Sequence, residues 1–200
     1  MVEKTYNEIK TIKEYALVNK VPIMVDDSID FIISKIHQKR VRKVLEIGTA
    51  IGYSAIMMAL SSPNLTITSI EKDKDRYLEA VKNIKKFNLE DRITLIYNDA
   101  LEVSLKEKYD LILIDAAKSK NLDFFNKFEK NLEPNGTIIT DNLSFHGYVE
   151  QEPSQIKNRN IRALVRKIRN YIDFLENNLK YKTTFYEIGD GLSVTEKRMW

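Results

Sequence analysis

Apolar residues recur at helical spacing over 6–19 and 28–38, and the Val21-Pro22 pair breaks the pattern between them, so two leading helices are predicted. A different rhythm begins at Val41. The short β-branched run 41–47 ends on Gly48 and leads into a helical stretch over 53–60. The run 65–70 is followed by a helix over 73–87, on which Tyr77, Val81 and Ile84 share a face. Short apolar runs return at 93–97 and 111–114, residues 122–132 are helical, and 136–140 reads as another buried strand. Near-continuous apolar strands alternating with helices predict an α/β fold, a parallel sheet covered on both faces with right-handed crossovers. The chain ends differently. A long helix is predicted over 156–179, and the strands 183–188 and 192–196 flank Gly189-Asp190-Gly191, a hairpin turn that adds an antiparallel edge.

With 200 residues, 43% of them hydrophobic, the chain can bury a real core. No repeat and no Pro/Gly/Ser-rich linker marks a boundary, so one domain is expected over 1–200, with 1–40 as leading helices and 41–200 as the core. The net charge of +3 only leans toward polyanionic partners. The absence of Cys excludes disulfides, zinc ribbons, iron–sulfur clusters and thiol nucleophiles. Two His leave His-rich metal sites without ligands, so a bound metal must use oxygen donors. No stretch approaches the ~20 apolar residues of a membrane span, and the charged start has no signal-peptide core. A cytoplasmic chain with no membrane partner is expected.

In open α/β sheets, ligands bind beyond the carboxyl ends of the strands. Here those ends are acidic: Glu46, Glu71, Asp99, Asp115, and Asp141 with Asn142 close the five strands in turn. The turn Glu46-Ile-Gly-Thr-Ala-Ile-Gly52 spaces its glycines G-x-x-x-G and lacks the G-x-G-x-x-G of dinucleotide folds. It reads either as a surface on which a ligand lies or as a tight strand-to-helix connection. Glu71 stands ~20 residues further on, where an acid can accept hydrogen bonds from both ribose hydroxyls. Asp99 could read an adenine amino group or cap a helix. Ribose and adenine recognition without a pyrophosphate anchor points to an adenosine ligand. Asp115, Asp141 and Asn142 offer two carboxylates and an amide oxygen, hard donors for Mg²⁺ or Ca²⁺, although each alone could serve a cap or turn. Lys118, three residues past Asp115, is either a solvated lysine or a base placed beside those donors.

Together, Val44-Leu-Glu-Ile-Gly-Thr-Ala-Ile-Gly-Tyr-Ser54, Ile114-Asp-Ala-Ala-Lys118 and Ile139-Thr-Asp-Asn142 resemble, in order and spacing, the metal-dependent O-methyltransferases that use S-adenosylmethionine, the catechol and caffeoyl-CoA group. The resemblance runs over about 22–194. Val21-Pro-Ile-Met24, Thr140-Asp-Asn-Leu-Ser-Phe-His-Gly147, an arginine-rich helix and Gly189-Asp-Gly-Leu192 are most similar to the bacterial tRNA 5-hydroxyuridine methyltransferases. The resemblance implies a Rossmann-like class I methyltransferase sandwich, with a mostly parallel seven-stranded sheet and an antiparallel C-terminal hairpin edge. It implies that Met24, Glu46, Gly48, Ser54, Glu71, Asp99 and Ala100 line the S-adenosylmethionine pocket, with Asp115 near the methionyl end. It implies further that Asp115, Asp141 and Asn142 hold Mg²⁺, that Lys118 and Asp115 are catalytic, and that the protein is a homodimer. The expected reaction methylates the 5-hydroxyl of 5-hydroxyuridine at the tRNA wobble position, in the anticodon loop. A small-molecule catechol or hydroxycinnamoyl O-methyltransferase is the first alternative and a non-catalytic RNA-binding protein the second. A nicotinamide dehydrogenase lacks its G-x-G-x-x-G turn here.

What would separate an RNA from a small phenol lies outside the strand ends. Residues 154–172 carry six positive side chains and no acid. Arg159, Arg162, Arg166 and Arg169 fall on one helical face, and Ile161, Leu164, Val165, Ile168 and Ile172 on another. The apolar stripe is expected to dock and the basic one to face outward, either as a solvated charge run or as guanidinium forks for RNA phosphates. Phe145, His146 and Tyr148 directly follow the strand-end Asp141-Asn142 pair and could stack on an everted base or pack inward. His37 is expected on the surface and Tyr53 in the core.

Overall fold

The structure, a computed structural model, describes residues 2–198, with side chains from Thr5 onward. Met1, Met199 and Trp200, which the expected domain 1–200 includes, lie outside the described residues. The chain divides between Ser104 and Leu105 into two compact units.

The first unit begins with α1 (Val2–Val18) and α2 (Asp26–Lys39). Two acidic residues open α2, where the helix dipole favours them, so it starts two residues ahead of its predicted apolar face. Then come β1 (Lys43–Ile47), α3 (Tyr53–Ser61), β2 (Thr66–Glu71), α4 (Lys74–Lys86) and β3 (Ile93–Tyr97). The three strands are parallel in the order β3-β2-β1, with Ile47 beside Ile70 and Glu71 beside Tyr97, so their carboxyl ends lie together. Val44, Leu45, Ile47, Ile67 and Ile70 are buried together with the polar Glu46 and Ser69, so both faces of β1 and most of β2 are covered.

The second unit holds β4 (Tyr109–Ile114), α5 (Asn121–Phe128), β5 (Leu132–Thr140), α6 (Arg159–Glu176), β6 (Tyr181–Tyr186) and β7 (Leu192–Lys197). Its order is β4-β5-β7-β6: β4 and β5 are parallel, and β7 runs antiparallel to both β5 and β6. The seven strands are thus mostly parallel, with the antiparallel C-terminal pair that the hairpin turn predicts.

Two boundaries differ from expectation. The helix expected over 122–132 stops at Phe128, because Glu129–Asn131 tightens into a 3₁₀ turn and Leu132 already pairs with Tyr109. The register then slips between Tyr109 and Leu111, where Pro134, which has no N–H for the ladder, lies in β5. The helix expected over 156–179 begins at Arg159, where Asn158 accepts hydrogen bonds from the amides of Asn160 and Ile161. Its buried stripe is Val165, Ile168, Tyr171 and Leu175. Ile161, Leu164 and Ile172, expected on that stripe, are only half-buried, and aromatic rings around Phe125 complete the C-terminal part of the face. Phe174 and Tyr181 meet Phe125 edge-on at 5.2 and 5.3 Å. Among the described residues, no helix is long and apolar enough to cross a membrane.

Candidate active site

The first unit sets a buried acid beneath a strained turn. Glu46 is 0% exposed. One of its carboxylate oxygens accepts a hydrogen bond from Ser54 Oγ at 2.5 Å and the other accepts from Ser69 Oγ, which is also hydrogen-bonded to Thr49 Oγ1 at 2.5 Å. A buried carboxylate needs such donors. Glu46 and Ser54, expected to line the cofactor pocket, tie β1, β2 and the start of α3 together beneath the turn through their side chains.

Above that strut, Glu71 is 7% exposed and holds the turn from the other side. Its Oε2 accepts from the Ala50 amide and its Oε1 from the Asp73 amide, both at 2.8 Å. Ala50 sits at φ +47°, a left-handed position that costs a non-glycine residue and is held here by that hydrogen bond. Gly52, at φ +86°, lets the chain turn into α3 close against Ala80 of α4. Each oxygen of Glu71 keeps an acceptor site, so the carboxylate can still take the paired hydroxyls of a ribose. Asp99 lies two residues beyond β3, 45% exposed, caps the amide of Leu101 at 2.9 Å and stands 4.0 Å from Lys72. Met24 and Ala100 are buried at 5% and 7% exposure. Tyr53 is in the core, as expected, and its hydroxyl donates to Asp26, which is also paired with Lys13 at 2.7 Å.

The second unit brings Asp115, Asp141 and Asn142 together at the ends of β4 and β5. The Asn142 side-chain amide donates to Asp115 Oδ1 at 3.1 Å and to Asp141 Oδ2 at 3.0 Å, bridging the two carboxylates. Asn142 adopts φ +66°, which asparagine tolerates, and its own backbone amide donates to Asp141 Oδ1 at 2.8 Å. Burial is the main force raising both carboxyl pKa values, Asp115 to about 6 and Asp141 to about 7. The negative charge of Asp115 raises Asp141 further, whereas Lys118 pulls both down. Lys118 opens the turn after β4, with its Nζ 6.0 Å from the Phe145 ring centroid.

This donor set fits a hard divalent cation. Among the described residues, no three His, Asp or Glu side chains cluster, so the third protein donor would be the Asn142 amide. Turning that amide over offers its oxygen, in place of its NH₂, beside the two carboxylates. A buried and a half-buried carboxylate side by side, both with raised pKa values, are electrostatically complementary to positive charge.

The arginine face is divided. Arg159 and Arg166 are exposed, as expected. Arg169 is a correction: it is half-buried, and its guanidinium donates to the carbonyls of Val149 and Gln151, closing the loop before α6. Arg162 is exposed but donates to the Ile156 and Lys157 carbonyls. Backbone carbonyls without helical or strand partners claim these two guanidinium groups. Sequence reasoning also passed over Ser69, one of several polar residues in β2, and gave Asp190 no role beyond the hairpin turn and the resemblance.

A family model described as O-methyltransferase matches residues 4–198. The chain belongs to the O-methyltransferase family. A crystal structure of a "putative caffeoyl-CoA O-methyltransferase" from Staphylococcus aureus is 33% identical, with 99% of this chain and 100% of that one covered and a TM-score of 0.91. The shared architecture is the α/β class I methyltransferase fold. An O-methyltransferase from Bacillus cereus, solved in complex with SAH, shares that fold at 23% identity, with 96% and 91% of the two chains covered and a TM-score of 0.82. Among curated relatives, the flavonoid 3′,5′-methyltransferase of Vitis vinifera is 28% identical over 92% of this chain and 81% of its own length.

Proposed function

We propose that this O-methyltransferase transfers the methyl group of S-adenosylmethionine to one of two neighbouring oxygens on a planar ring, and that the ring is 5-hydroxyuridine at the tRNA wobble position. The carrying observation is the Asp115–Asn142–Asp141 cluster with Lys118 beside it. Support for an RNA acceptor comes from the exposed Arg159 and Arg166 on a helix that carries no acid before Asp173. A small catechol or hydroxycinnamoyl acceptor is the second reading. It needs the same residues, and the names of the plant relative and of the Staphylococcus structure favour it.

The acceptor oxygen must lose its proton and lie in line with the methyl carbon. Glu71 would accept the ribose hydroxyls of the donor, and Asp99 its adenine amino group, so that the sulfonium end takes a fixed position. The Glu46–Ser54–Ser69 strut keeps the turn under the donor from shifting. Asp115, Asp141 and Asn142 would hold a divalent cation, Mg²⁺ in this reading, whose Lewis acidity lowers the pKa of the acceptor hydroxyl when bound. Lys118 Nζ takes the hydroxyl proton or stabilises the oxyanion it leaves.

The test uses the purified protein with methyl-labelled S-adenosylmethionine, tRNA that retains 5-hydroxyuridine, and a catechol, each in Mg²⁺ and in EDTA. Label entering tRNA only with Mg²⁺ supports the reading. Label entering only the catechol overturns the RNA acceptor and leaves the second reading standing.

A further inference from the structure

We infer that Asp190, in the turn between β6 and β7, is a positioning residue for the acceptor: it fixes the loop 143–148 so that Phe145 forms a stacking face beside Lys118. The inference rests on the reading above for the identity of the ring, but its geometry stands independently. The loop needs outside support. Phe145 and His146 adopt φ +48° and +57°, left-handed positions that cost residues with a Cβ and persist only where surrounding groups impose them.

The imposing groups come from the hairpin turn. The Asp190 side chain accepts from the His146 amide through Oδ1 at 2.6 Å, and its Oδ2 stands 3.6 Å from His146 Nδ1. The Asp190 carbonyl accepts from the Ser144 amide at 2.8 Å, and the Gly191 carbonyl from the Leu143 amide at 3.0 Å. The approach is so close that a Cβ on Gly191, itself at φ +85°, would lie 2.8 Å from the Ser144 nitrogen. A carboxylate accepting a backbone N–H is the strongest of these holds. It acts on His146, the second of the two strained residues.

What the hold positions is a ring with neighbours on several sides. Phe145 lies 5.5 Å from the His146 ring and 5.8 Å from that of Tyr148, and Lys118 Nζ is 6.0 Å from its centroid. A partly exposed aromatic face beside the candidate base suits a flat acceptor ring, since stacking tolerates any planar partner and fixes its plane. Asp190 is not itself a donor to the acceptor or the cation in this scheme; its charge also reaches Asp141, and its hold on Phe145 runs through the loop, which the exchange measurement reads separately.

The experiment compares Asp190→Ala, which removes the acceptor oxygens, with Asp190→Asn, which keeps one for the His146 amide. Three quantities are read: hydrogen exchange across 143–149, KM and kcat for the acceptor, and S-adenosylmethionine affinity. Asp190→Ala is expected to speed exchange and raise acceptor KM by about tenfold or more, with cofactor affinity unchanged; Asp190→Asn should restore both to within about threefold. Unchanged exchange in Asp190→Ala overturns the inference. So does an unchanged KM with kcat and melting temperature falling together, which would assign Asp190 to hairpin stability alone. If the wild-type protein methylates neither tRNA nor catechol, the proposed reaction fails, and the exchange comparison still decides whether Asp190 holds the loop.

Discussion

Replacing Asp141 with Asn should stabilise the cation-free protein, although it removes a residue proposed to be essential. Asp141 is 5% exposed, and its carboxyl is raised from 3.8 to about 7, first by burial and then by the charge of Asp115. A carboxyl with a raised folded-state pKa favours the fold fully only below its unfolded value. That advantage is lost as pH rises from about 4 to about 7, and ionised Asp141 opposes folding above this range. At ~1.36 kcal/mol per unit, the opposition at pH 8 is on the order of 4 kcal/mol. Asn cannot ionise, but it weakens the hydrogen bonds from the Asn142 amides at 2.8 and 3.0 Å. That loss is about 1–2 kcal/mol, leaving a net gain of about 2 kcal/mol and a rise in melting temperature of about 4–8 °C for a chain of this size. Thermal melts at pH 8 and pH 5, in EDTA and in millimolar Mg²⁺, measure this directly. In EDTA at pH 8 the variant melts higher, and at pH 5 the gap closes because wild-type Asp141 is then protonated. In Mg²⁺ the wild type gains stability through ligand linkage and the variant does not. A variant that melts no higher than wild type at pH 8 in EDTA refutes the reasoning, for it would mean that the fold already neutralises the pair.

Other substitutions separate struts from contact surfaces. Glu46→Ala leaves the hydroxyls of Ser54 and Ser69 without their carboxylate and opens a cavity, so urea unfolding should show a loss of about 2–4 kcal/mol, with weaker S-adenosylmethionine binding by calorimetry. Gly52→Ala meets Ala80 Cβ at an ordinary 3.4 Å but forces alanine to φ +86°, so a cost of about 1 kcal/mol in the same assay is expected from strain alone. Arg169→Ala, which strips the Val149 and Gln151 carbonyls of their donors, should cost about 2 kcal/mol and loosen 149–151 in hydrogen exchange. The double variant Arg159→Glu and Arg166→Glu should leave the melting temperature unchanged while lowering the salt dependence of tRNA affinity by about two units of log–log slope, read by filter binding at several salt concentrations.

The central strands were legible because β1 and β4 are buried along most of their length, so 111–114 reads as an apolar run and 41–47 nearly so, whatever they pack against. Their acidic ends were legible for the same reason, since a charge that stops such a run marks the place where the chain leaves the sheet. What each acid does there was not, because that depends on partners distant in sequence. Glu46 and Glu71 look alike as strand-end carboxylates. Yet Glu46 faces Ser69 on the neighbouring strand and vanishes into the fold, while Glu71 takes backbone amides and keeps acceptor capacity. The helical register of Arg159, Arg162, Arg166 and Arg169 was readable, but the carbonyls that capture two of them belong to residues 149–157, a stretch with no periodicity to place it. Asp190 was the hardest to see. Its role is written in the left-handed backbone of Phe145 and His146, more than 40 positions away, where a bulky Phe is the residue sequence rules would not expect. Local pattern therefore locates the chemistry at strand ends, and long-range hydrogen bonds decide which of those groups remain available to a ligand.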